Sequence, residues 1–484
     1  MALRTITVIT DNGKKDIKAK DGELLADVLS DCGFPVPAAC GRRGTCRKCA
    51  VRLTDGRFEN ETPDKDGMIR SCRAVVCSDA SVSLNFEKGN GLTDFAFAGE
   101  IKRNVCGIAV DIGTTTVAAS ILKEDGSVAS SSCLNPQSTY GADVISRIKA
   151  CSDGALNELT ELVRSCTGNL ISELAGDTVP DELVVSGNTT MLHIFCGISP
   201  ESLGVFPFKP QFTDALSFSG KELGLNVKKV TVLPSVSAFI GSDIVSGIYA
   251  LGLHKIDKRA FLADLGTNGE LVFSDKGRLY CTSTAAGPAL EGACIECGLG
   301  GVRGAVDKVF RDGGDISYTT VGGIAPTGIC GAGLVDAVAL MVKEKIADES
   351  GYLENGSFYI SSNVYISQND IRQFQLAKSA VFSGIETLLD VVGISEAEID
   401  MFYIAGGLGY YINPESAFVS GLLPRMSTDR VTAAGNTSLN GALMCIGNPA
   451  AVEEMQKLSK QCETVELGGN PAFNQRFMDN MFFE

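Results

Sequence analysis

Four cysteines near the start of the chain have the spacing expected of ligands to one metal centre. They are Cys40, Cys46, Cys49 and Cys72. The pattern Cys-x5-Cys-x2-Cys, with a fourth cysteine further on, differs by one residue in its first loop from the plant-type [2Fe–2S] spacing. Glycines between the first two cysteines give that loop backbone freedom, so the thiolates can converge on one point. The spacing therefore favours a one-electron iron–sulfur carrier.

Other interpretations of this cysteine loop stay open. Four thiolates also suit a structural zinc ion, although zinc sites usually have two separate Cys-x2-Cys pairs and this region has one. Cys77 lies five residues after Cys72 and competes with it as the fourth ligand. Basic side chains crowd the loop; they favour a reduced, more negative cluster or an acidic docking partner, unless they simply face solvent. These side chains are Arg42, Arg43, Arg47 and Lys48.

Two later stretches have the composition of phosphate-binding turns. The sequences DIGTTT, from Asp111, and DLGTNGE, from Asp264, each follow an apolar run and share the pattern Asp-x-Gly-Thr. Glycine lets the backbone approach a ligand closely, and turn N–H groups with threonine hydroxyls can face an anion. An aspartate beside such a turn can hold Mg²⁺ through water. Two such turns, 153 residues apart, predict a nucleotide held between two similar lobes.

This interpretation assigns roles to individual residues of the turns. Asp111 and Asp264 are the predicted catalytic carboxylates, which position Mg²⁺ or water. A third glycine-rich turn, IAGGLG, follows another apolar run and is predicted to place Gly406 and Gly407 near the adenosine. The other predicted contacts to the nucleotide are Gly113, Thr114, Thr115, Thr116, Gly266, Thr267 and Asn268.

Composition and missing motifs disfavour several other classes of protein. The chain of 484 residues has a formal net charge of −16, which disfavours a nucleic-acid partner. It contains no Walker A motif and no Rossmann fingerprint, so neither a P-loop NTPase nor a dinucleotide-dependent dehydrogenase fits. Only two histidines occur, His193 and His254, which disfavours a histidine-based metal site. No apolar run has the length of a membrane span and no signal peptide is evident, so we expect a cytoplasmic protein without a membrane partner.

The elements that must position these residues change in character along the chain. Residues 1–87 alternate β-branched and polar residues and predict a small β-rich domain. Residues 88–104 show no clear period and predict a linker. Beyond this point apolar strands alternate with helices, which indicates an α/β architecture with buried sheets. We expect one ATPase lobe over 105–257 and a second over 258–484, each opening with a hairpin that carries an Asp-x-Gly-Thr turn.

The combination resembles the reductive activators of corrinoid enzymes. Members of this family join a ferredoxin domain to an ATPase of the acetate kinase, sugar kinase, Hsp70 and actin type. The resemblance implies a multidomain α+β protein, with an N-terminal β-grasp [2Fe–2S] domain followed by a two-lobed actin/Hsp70-like α/β ATPase domain. It covers nearly the whole chain and is carried, besides the cysteine loop and DIGTTT, by NPQSTYGADVISRI, SGNTTMLHIFCGI, LPSVSAFIGSDI, ADLGTNGEL, GPALEGA, GICGAGLVDAVA and YIAGGLG.

What the resemblance implies is an ATP-dependent one-electron reduction. The substrate is the Co(II) of a corrinoid methyl-carrier protein, which returns to Co(I) in a methyltransferase system. The implied cofactors are a [2Fe–2S] cluster, ATP and Mg²⁺, and an upstream low-potential donor must load the cluster. A homodimer is a further expectation of the family. Three alternatives stay open: an ATP-driven electron donor to another low-potential enzyme, a redox-sensing small-molecule kinase, and a non-enzymatic ATP-dependent protein that only binds the corrinoid protein.

Two departures from the family pattern are evident. Family members often carry an extra small domain between the ferredoxin and ATPase domains. Only the short linker separates the two here, so we expect that middle domain to be absent. The cysteine loop has Arg47 where similar loops usually have glycine. Both departures bear on docking geometry and on the potential of the cluster.

Overall fold

The computed structural model describes residues 3–10, 13–32, 34, 36, 49–65, 67–84, 105–409 and 412–483. The predictions for Cys40 and Cys46, for the basic side chains of their loop and for the linker 88–104 lie outside these residues. Within the described residues, no helix combines the length and the apolar character that crossing a membrane requires.

The small N-terminal unit is a mixed β-sheet covered by one helix. Its strand order is β2-β1-β5-β3-β4, with β1 and β5 parallel at the centre. Ile6 and Val8 alternate inward along β1, and Leu25 and Leu29 of the helix meet them in one buried cluster, as period-2 and period-3.6 patterns require. The elements are β1 Leu3–Thr10, β2 Gly13–Lys20, α1 Leu25–Asp31, β3 Ala50–Glu59, β4 Met68–Arg70 and β5 Val75–Ser83.

The next part of the chain forms an α/β lobe around a second sheet. Its strand order is β10-β11-β9-β6-β7-β8. The long helix α3 packs on this sheet through an apolar face that includes Leu159, Val163 and Leu170. The elements are β6 Gly107–Ile112, β7 Thr116–Leu122, β8 Val128–Leu134, α2 Val144–Ala150, α3 Leu156–Ala175, β9 Glu182–Gly187, α4 Thr189–Cys196, β10 Leu216–Ser219, α5 Gly220–Leu223, β11 Lys229–Val232 and α6 Ser242–Leu251.

The last part of the chain forms a second α/β lobe. Its main sheet has the order β21-β20-β12-β13-β14-β22. The elements are β12 Arg259–Leu265, β13 Gly269–Asp275, β14 Arg278–Thr284, β15 Ala305–Asp312, β16 Asp315–Thr320, β17 Gly328–Ile329, α7 Gly331–Lys343, β18 Ser357–Tyr359, β19 Tyr365–Ser367, α8 Gln368–Val392, β20 Met401–Ala405, α9 Gly406–Gly409, α10 Pro414–Val419, β21 Val431–Gly435, α11 Thr437–Cys445, α12 Pro449–Gln461, β22 Glu463–Thr464 and α13 Pro471–Asp479.

The two large sheets share one plan. In the first, the antiparallel strands β8, β7 and β6 continue into β9 and β11, which run parallel to β6. In the second, β14, β13 and β12 are antiparallel, and β20 and β21 run parallel to β12. The β6–β7 hairpin and the β12–β13 hairpin each carry an Asp-x-Gly-Thr turn, so the predicted internal repeat is confirmed.

Helices α6 and α11 join the lobes at close range. A Cβ on Gly441 of α11 would lie 2.3 Å from the carbonyl oxygen of Ser246 on α6, a distance that side chains do not tolerate. A Cβ on Gly247 of α6 would lie 2.8 Å from the hydroxyl of Thr437. One apolar cluster continues through both helices into both sheets. This packing fixes the start of α11 beside the first Asp-x-Gly-Thr turn.

Candidate nucleotide and cluster sites

The first turn, at residues 111–116, is a tight connection between β6 and β7. The Gly113 N–H donates to the carbonyl oxygen of Thr116 at 2.9 Å. A Cβ on Gly113 would lie 2.6 Å from the same oxygen, so no larger residue fits this turn without a backbone shift. The hydroxyl of Thr114 accepts a hydrogen bond from the side-chain amide of Asn188, which begins α4, at 3.2 Å.

A buried polar network holds the carbonyl groups of this turn. The side-chain amide of Asn135 donates to the Gly113 carbonyl at 2.8 Å, and its backbone N–H donates to the Thr115 carbonyl at 2.8 Å. The Arg147 guanidinium donates to the Thr114 carbonyl at 2.5 Å. Asn135 and Arg147 are both fully buried. Three consecutive carbonyls are therefore fixed from inside the lobe, which holds the turn in one conformation before any ligand arrives.

Arg147 is a buried cation that bonds to neutral acceptors. Its guanidinium also donates to the carbonyl of Gly141 at 3.2 Å and to the side-chain oxygen of Gln137 at 3.2 Å. Burial lowers the pKa of Arg147 to about 10, and the charges of Asp143 and Glu291 oppose that shift. The guanidinium stays protonated near pH 7, so it adds positive potential directly behind the first turn.

The second turn, at residues 264–270, repeats the first on the other lobe. The Gly266 N–H donates to the carbonyl of Asn268 at 2.9 Å, and the Asn268 side chain hydrogen-bonds Glu270. Gly406 directly follows β20, the strand parallel to β12, and has a φ of +83°. A Cβ on Gly406 would lie 2.6 Å from Oδ1 of Asp264. Gly407 follows it and is exposed. The third glycine-rich turn thus lies directly against the second aspartate; its contact with adenosine stays a prediction.

Glu291 brings the two turns together. Its Oε2 accepts a hydrogen bond from the Thr115 hydroxyl of the first lobe at 2.9 Å. The same oxygen accepts a hydrogen bond from the Thr267 hydroxyl of the second lobe at 2.7 Å. One carboxylate therefore connects two of the hydroxyls that the sequence assigns to the nucleotide, one from each lobe. Sequence reasoning did not select Glu291, although the GPALEGA motif that contains it was noted as characteristic.

Asp111 is tied to the second lobe at the start of α11. Its two carboxylate oxygens accept hydrogen bonds from the Asn436 side-chain amide and the Ser438 hydroxyl, each at 2.8 Å. Ser438 is also 2.9 Å from the hydroxyl of Ser186 on β9. Burial raises the pKa of Asp111, and the two donors counteract that shift. The arrangement makes Asp111 a link between the lobes as well as a member of the turn.

Asp264 lies in a more acidic environment. The pKa of Asp264 is raised to about 8, chiefly by burial and then by the charges of the neighbouring Asp243, Asp111 and Glu291. Asp243, in the first turn of α6, has its pKa raised to about 7 by burial and by Asp111. The pKa of Glu270 is also raised, by burial and by Asp243 and Asp264. A site where carboxylates raise one another's pKa values lacks positive charge, and a cation would restore the ionised forms.

These carboxylates do not form a direct metal cage. Among the described residues, no group of three or more His, Cys, Asp or Glu side chains is placed to hold one metal ion. Mg²⁺ commonly binds with several waters, one or two carboxylates and substrate phosphates, and that mode needs no such cage. The buried cluster of carboxylates therefore fits a water-bridged Mg²⁺ that arrives with a phosphate ligand.

Two of the four predicted cluster cysteines lie in the described part of the small unit and come together. Cys49 directly precedes β3, and Cys72 follows β4, its antiparallel neighbour. The backbone N–H and the hydroxyl of Ser71 donate to the Cys49 carbonyl at 3.0 and 2.8 Å. Both cysteines belong to the same buried cluster, at 2% and 4% exposure. The donor set thus fits a shared metal centre at the edge of this core.

Cys77 occupies a different environment. It lies on β5, where its thiol donates to the carbonyl of Arg57 at 3.5 Å, and it is outside the buried cluster that contains Cys49 and Cys72. The pKa of Arg70 is raised, chiefly by its hydrogen bond with Glu61, and the thiols of Cys72 and Cys49 add to the effect. A cation therefore stands near the proposed ligands. These contacts favour Cys72 over Cys77 as the fourth ligand.

Three family models match the chain in succession. A 2Fe-2S iron-sulfur cluster binding domain matches residues 9–77, the RACo middle region matches 106–256, and the C-terminal domain of RACo, the ASKHA domain, matches 258–484. A solved structure, the reductive activator for corrinoid,iron-sulfur protein, superposes with a TM-score of 0.73 at 25% identity. The match covers 99% of this chain and 98% of that one. The chain belongs to the RACo family of reductive activators. The predicted fold class is thereby confirmed.

Two curated relatives extend this result. The corrinoid activation enzyme RamQ of Eubacterium limosum is 28% identical over an alignment of 581 positions, which covers 97% of this chain and 98% of RamQ. The [Co(II) methylated amine-specific corrinoid protein] reductase of Methanosarcina barkeri is 24% identical over an alignment of 339 positions, which covers 62% of each chain. The resemblance drawn from the sequence motifs is therefore confirmed at the level of the family.

The family models bear on the expected absence of a middle domain. The RACo middle region matches 106–256, the part assigned above to the first ATPase lobe and not the segment where the extra small domain would lie. The alignment with RamQ spans 581 positions, more than the 484 residues of this chain, so RamQ has residues that this chain lacks. The absence of a small domain between the ferredoxin and ATPase units therefore stays a prediction.

Proposed function

We propose that this protein is an ATP-dependent reductive activator of a corrinoid protein. It transfers one electron from its small N-terminal unit to Co(II) of the partner and so regenerates Co(I). The observation that carries the proposal is the combination, in one chain, of the buried Cys49 and Cys72 with two lobes whose matched Asp-x-Gly-Thr turns meet at Glu291. The matches to RamQ and to the solved reductive activator support the same activity.

The small unit is the electron carrier in this proposal. Cys40, Cys46, Cys49 and Cys72 would hold a [2Fe–2S] cluster, which supplies one-electron transfer when bound. The buried position of Cys49 and Cys72 keeps water from their thiolates, and the nearby Arg70 guanidinium favours the more negative state. An upstream low-potential donor and a corrinoid methyl-carrier protein are the proposed redox partners.

The region between the two turns is the proposed ATP site. The hydroxyls of Thr115 and Thr267 and the backbone N–H groups of the two turns would bind phosphates, and Asp264 would hold Mg²⁺. The raised pKa of Asp264 supports this role, because a dication would stabilise its carboxylate. Asp111, fixed by its two donors, positions the first turn. Asp243, Glu270 and Glu291 complete the acidic lining.

Glu291 gives a physical route from nucleotide to conformation. A phosphate that takes the hydroxyls of Thr115 and Thr267 must displace or share the Glu291 carboxylate that now joins them. The lobes then close around a different set of bonds. A nucleotide shifts such an equilibrium only by its differential affinity for the two states. A plant-type [2Fe–2S] cluster has a reduction potential of about −400 mV, and Co(II)/Co(I) couples have lower potentials. The closed state must therefore compensate for this difference in potential when the partner is docked.

We also propose the domain division 1–87, 88–104, 105–257 and 258–484, together with a possible homodimer. The large sheets support the division, since the strands of one lie between residues 107 and 232 and those of the other between residues 259 and 464.

The decisive experiment follows Co(I) formation by absorbance under anaerobic conditions. The chemically reduced protein is mixed with a Co(II) corrinoid methyl-carrier protein, with and without Mg-ATP. Co(I) should appear only with Mg-ATP. The Cys46→Ser variant should fail, whereas Cys77→Ser, a matched substitution outside the buried pair, should retain the activity.

The alternatives give different results in the same assay. If ATP is consumed and the cluster is intact while no corrinoid protein is reduced, the activator proposal is rejected. Phosphate transfer to a metabolite would then identify a kinase, and reduction of another low-potential protein would identify a different electron donor. If Cys77→Ser fails and Cys72→Ser does not, the assignment of the fourth ligand is reversed.

A further inference from the structure

A pair of cysteines in the first lobe lies in direct contact, and neither cysteine belongs to the proposed cluster or nucleotide sites. Cys133 is on β8 and Cys166 is on α3, which packs against that strand. Their sulfur atoms are 2.8 Å apart. A disulfide bond has an S–S distance of about 2.05 Å, so bond formation requires the two sulfurs to approach by less than about 1 Å. No large movement of strand or helix is needed.

The two thiols differ in exposure and in the direction in which their surroundings shift the pKa. The hydrogen bond with Cys166 lowers the pKa of Cys133, while burial and the charge of Glu173 oppose that effect. The same hydrogen bond and burial raise the pKa of Cys166. Cys133 is also the more exposed of the two. Because the thiolate is the nucleophile, Cys133 is suited to react first with an oxidant and Cys166 to react second.

The pair lies directly behind the first phosphate turn. Cys133 is opposite Val117 in the β7–β8 ladder, one residue after the turn ends. Two residues further on, Asn135 holds the carbonyls of Gly113 and Thr115. The side-chain amide of Gln137 donates to the carbonyl of Leu159 on α3 at 2.9 Å. The segment that anchors the turn is therefore attached to the same helix that carries Cys166.

We propose that Cys133 and Cys166 form a redox-sensitive dithiol whose disulfide ties α3 to β8 and weakens nucleotide binding at the first turn. With a small-molecule disulfide as oxidant, Cys133 attacks one sulfur and forms a mixed disulfide while one thiol leaves. Cys166 then attacks the Cys133 sulfur and releases the second thiol. The oxidant gains two electrons and takes up the two cysteine protons, and a dithiol reductant reverses both steps.

The first test is a peptide map and does not depend on nucleotide. The complete protein with its cluster is treated anaerobically with oxidised glutathione, alkylated and digested without reduction. We expect a peptide that links Cys133 to Cys166, with the loss of two hydrogens, and its disappearance after dithiothreitol. The Cys166→Ser variant should instead retain glutathione on Cys133. The control Cys151→Ser, a buried cysteine in the same lobe, should form the linked peptide normally.

Absence of the linked peptide, with Cys133 and Cys166 still alkylated singly, would overturn the proposal. The second test measures ATP affinity by calorimetry in reduced, oxidised and re-reduced protein. This part rests on the proposed nucleotide site. We expect affinity to fall by about fivefold on oxidation and to recover on reduction, the lower range of coupling between linked sites. Unchanged affinity with the cross-link formed overturns the coupling alone, whereas no ATP binding by the reduced protein overturns the proposed function.

Discussion

The two Asp-x-Gly-Thr turns have the same backbone plan but opposite surroundings. Around the first turn, neutral and positive groups satisfy the polar atoms: Asn436 and Ser438 donate to Asp111, and Arg147 donates to the turn itself. Around the second turn, every effect on the pKa of Asp264 raises it, through burial and neighbouring carboxylates. The polar atoms of the first turn are satisfied without a ligand, whereas the second turn has an excess of acidic groups.

This difference indicates a division of labour between the lobes. A turn whose hydrogen bonds are satisfied is rigid and can position phosphate groups without rearrangement. A carboxylate that burial and like charge hold protonated gains most when a cation enters. We therefore infer that the first turn positions the nucleotide, whereas the second turn responds to Mg²⁺. Glu291, bonded to a threonine of each turn, couples the two.

The largest expected effects come from replacing the aspartate of each turn with asparagine, in separate variants. We expect Asp264→Asn to lower Mg-ATP hydrolysis by about 100-fold or more, as loss of one aligned charge in an active site does. Its fold should stay intact. Asp111→Asn places an amide opposite the donors of Asn436 and Ser438, so it should cost about 1–3 kcal/mol of stability. Phosphate release and thermal unfolding, measured on both variants, separate the two roles.

The opposite pattern would refute the division of labour. If Asp111→Asn leaves the unfolding transition unchanged and abolishes hydrolysis, while Asp264→Asn remains active, then the first turn carries the metal. Asp153→Asn, an exposed substitution in the first lobe, serves as the control and should change neither measurement.

A second prediction concerns the buried cation behind the first turn. Arg147→Met would leave the carbonyls of Thr114 and Gly141 without their donor in a buried site. We expect a loss of about 2–4 kcal/mol in the free energy of unfolding, from buried polar groups left unpaired. Denaturant titration gives the value. The control Lys149→Met, on the exposed side of the same helix, should change stability by less than about 0.5 kcal/mol. Equal losses of unfolding free energy in the two variants would show that Arg147 does not stabilise the first turn.

The sequence was sufficient for the fold class and for both turns because those signals are local. Apolar runs followed by Asp, Gly and Thr predict a strand, a tight turn and a second strand, and β6–β7 and β12–β13 have this form. The spacing of the four cysteines is likewise read directly from one short region of the sequence. The matches to the RACo models and to the solved activator agree with that part of the prediction.

The residues that the sequence did not reveal come from distant segments. Glu291 is 176 residues from Thr115, and Asn436 is 325 residues from Asp111. Asp243 stands at the start of α6 within the LPSVSAFIGSDI motif, but the motif alone assigned no role to this residue. Such contacts depend on how the two lobes pack through α6 and α11, and no spacing along the chain encodes that packing. Motif reading identified what each turn is made of, and the structure supplied what surrounds it.

A third prediction uses pH to sharpen the contrast between the turns. The pKa of Asp264 is about 8 in the folded state and has an ordinary value of 3.8. Between these values the folded protein retains a proton that the unfolded chain releases, so stability falls as pH rises from about 4 to 8. Asp264→Asn removes this term. Its stability advantage over the unsubstituted protein should grow by about 3 kcal/mol between pH 5 and pH 8.

The measurement is a denaturant titration of both proteins at each pH, without nucleotide. Saturating Mg-ATP should reduce the difference, because the cation stabilises the ionised carboxylate of the unsubstituted protein. A constant difference across the pH range would mean that Asp264 is already ionised in the free protein and that the second turn is not short of positive charge.

The smallest expected effect concerns the threonines that Glu291 connects. Thr115→Val and Thr267→Val each remove one hydroxyl donor from the same carboxylate oxygen, and each should cost about 0.5–1.5 kcal/mol of stability. The conservative variants Thr115→Ser and Thr267→Ser keep the hydroxyl and should stay closer to the unsubstituted protein. If Glu291 couples the turns, the double valine variant should depart from the sum of the single losses by about 0.5 kcal/mol or more. Simple additivity would show that the two turns act independently, and the route from nucleotide to lobe closure would then have to bypass Glu291.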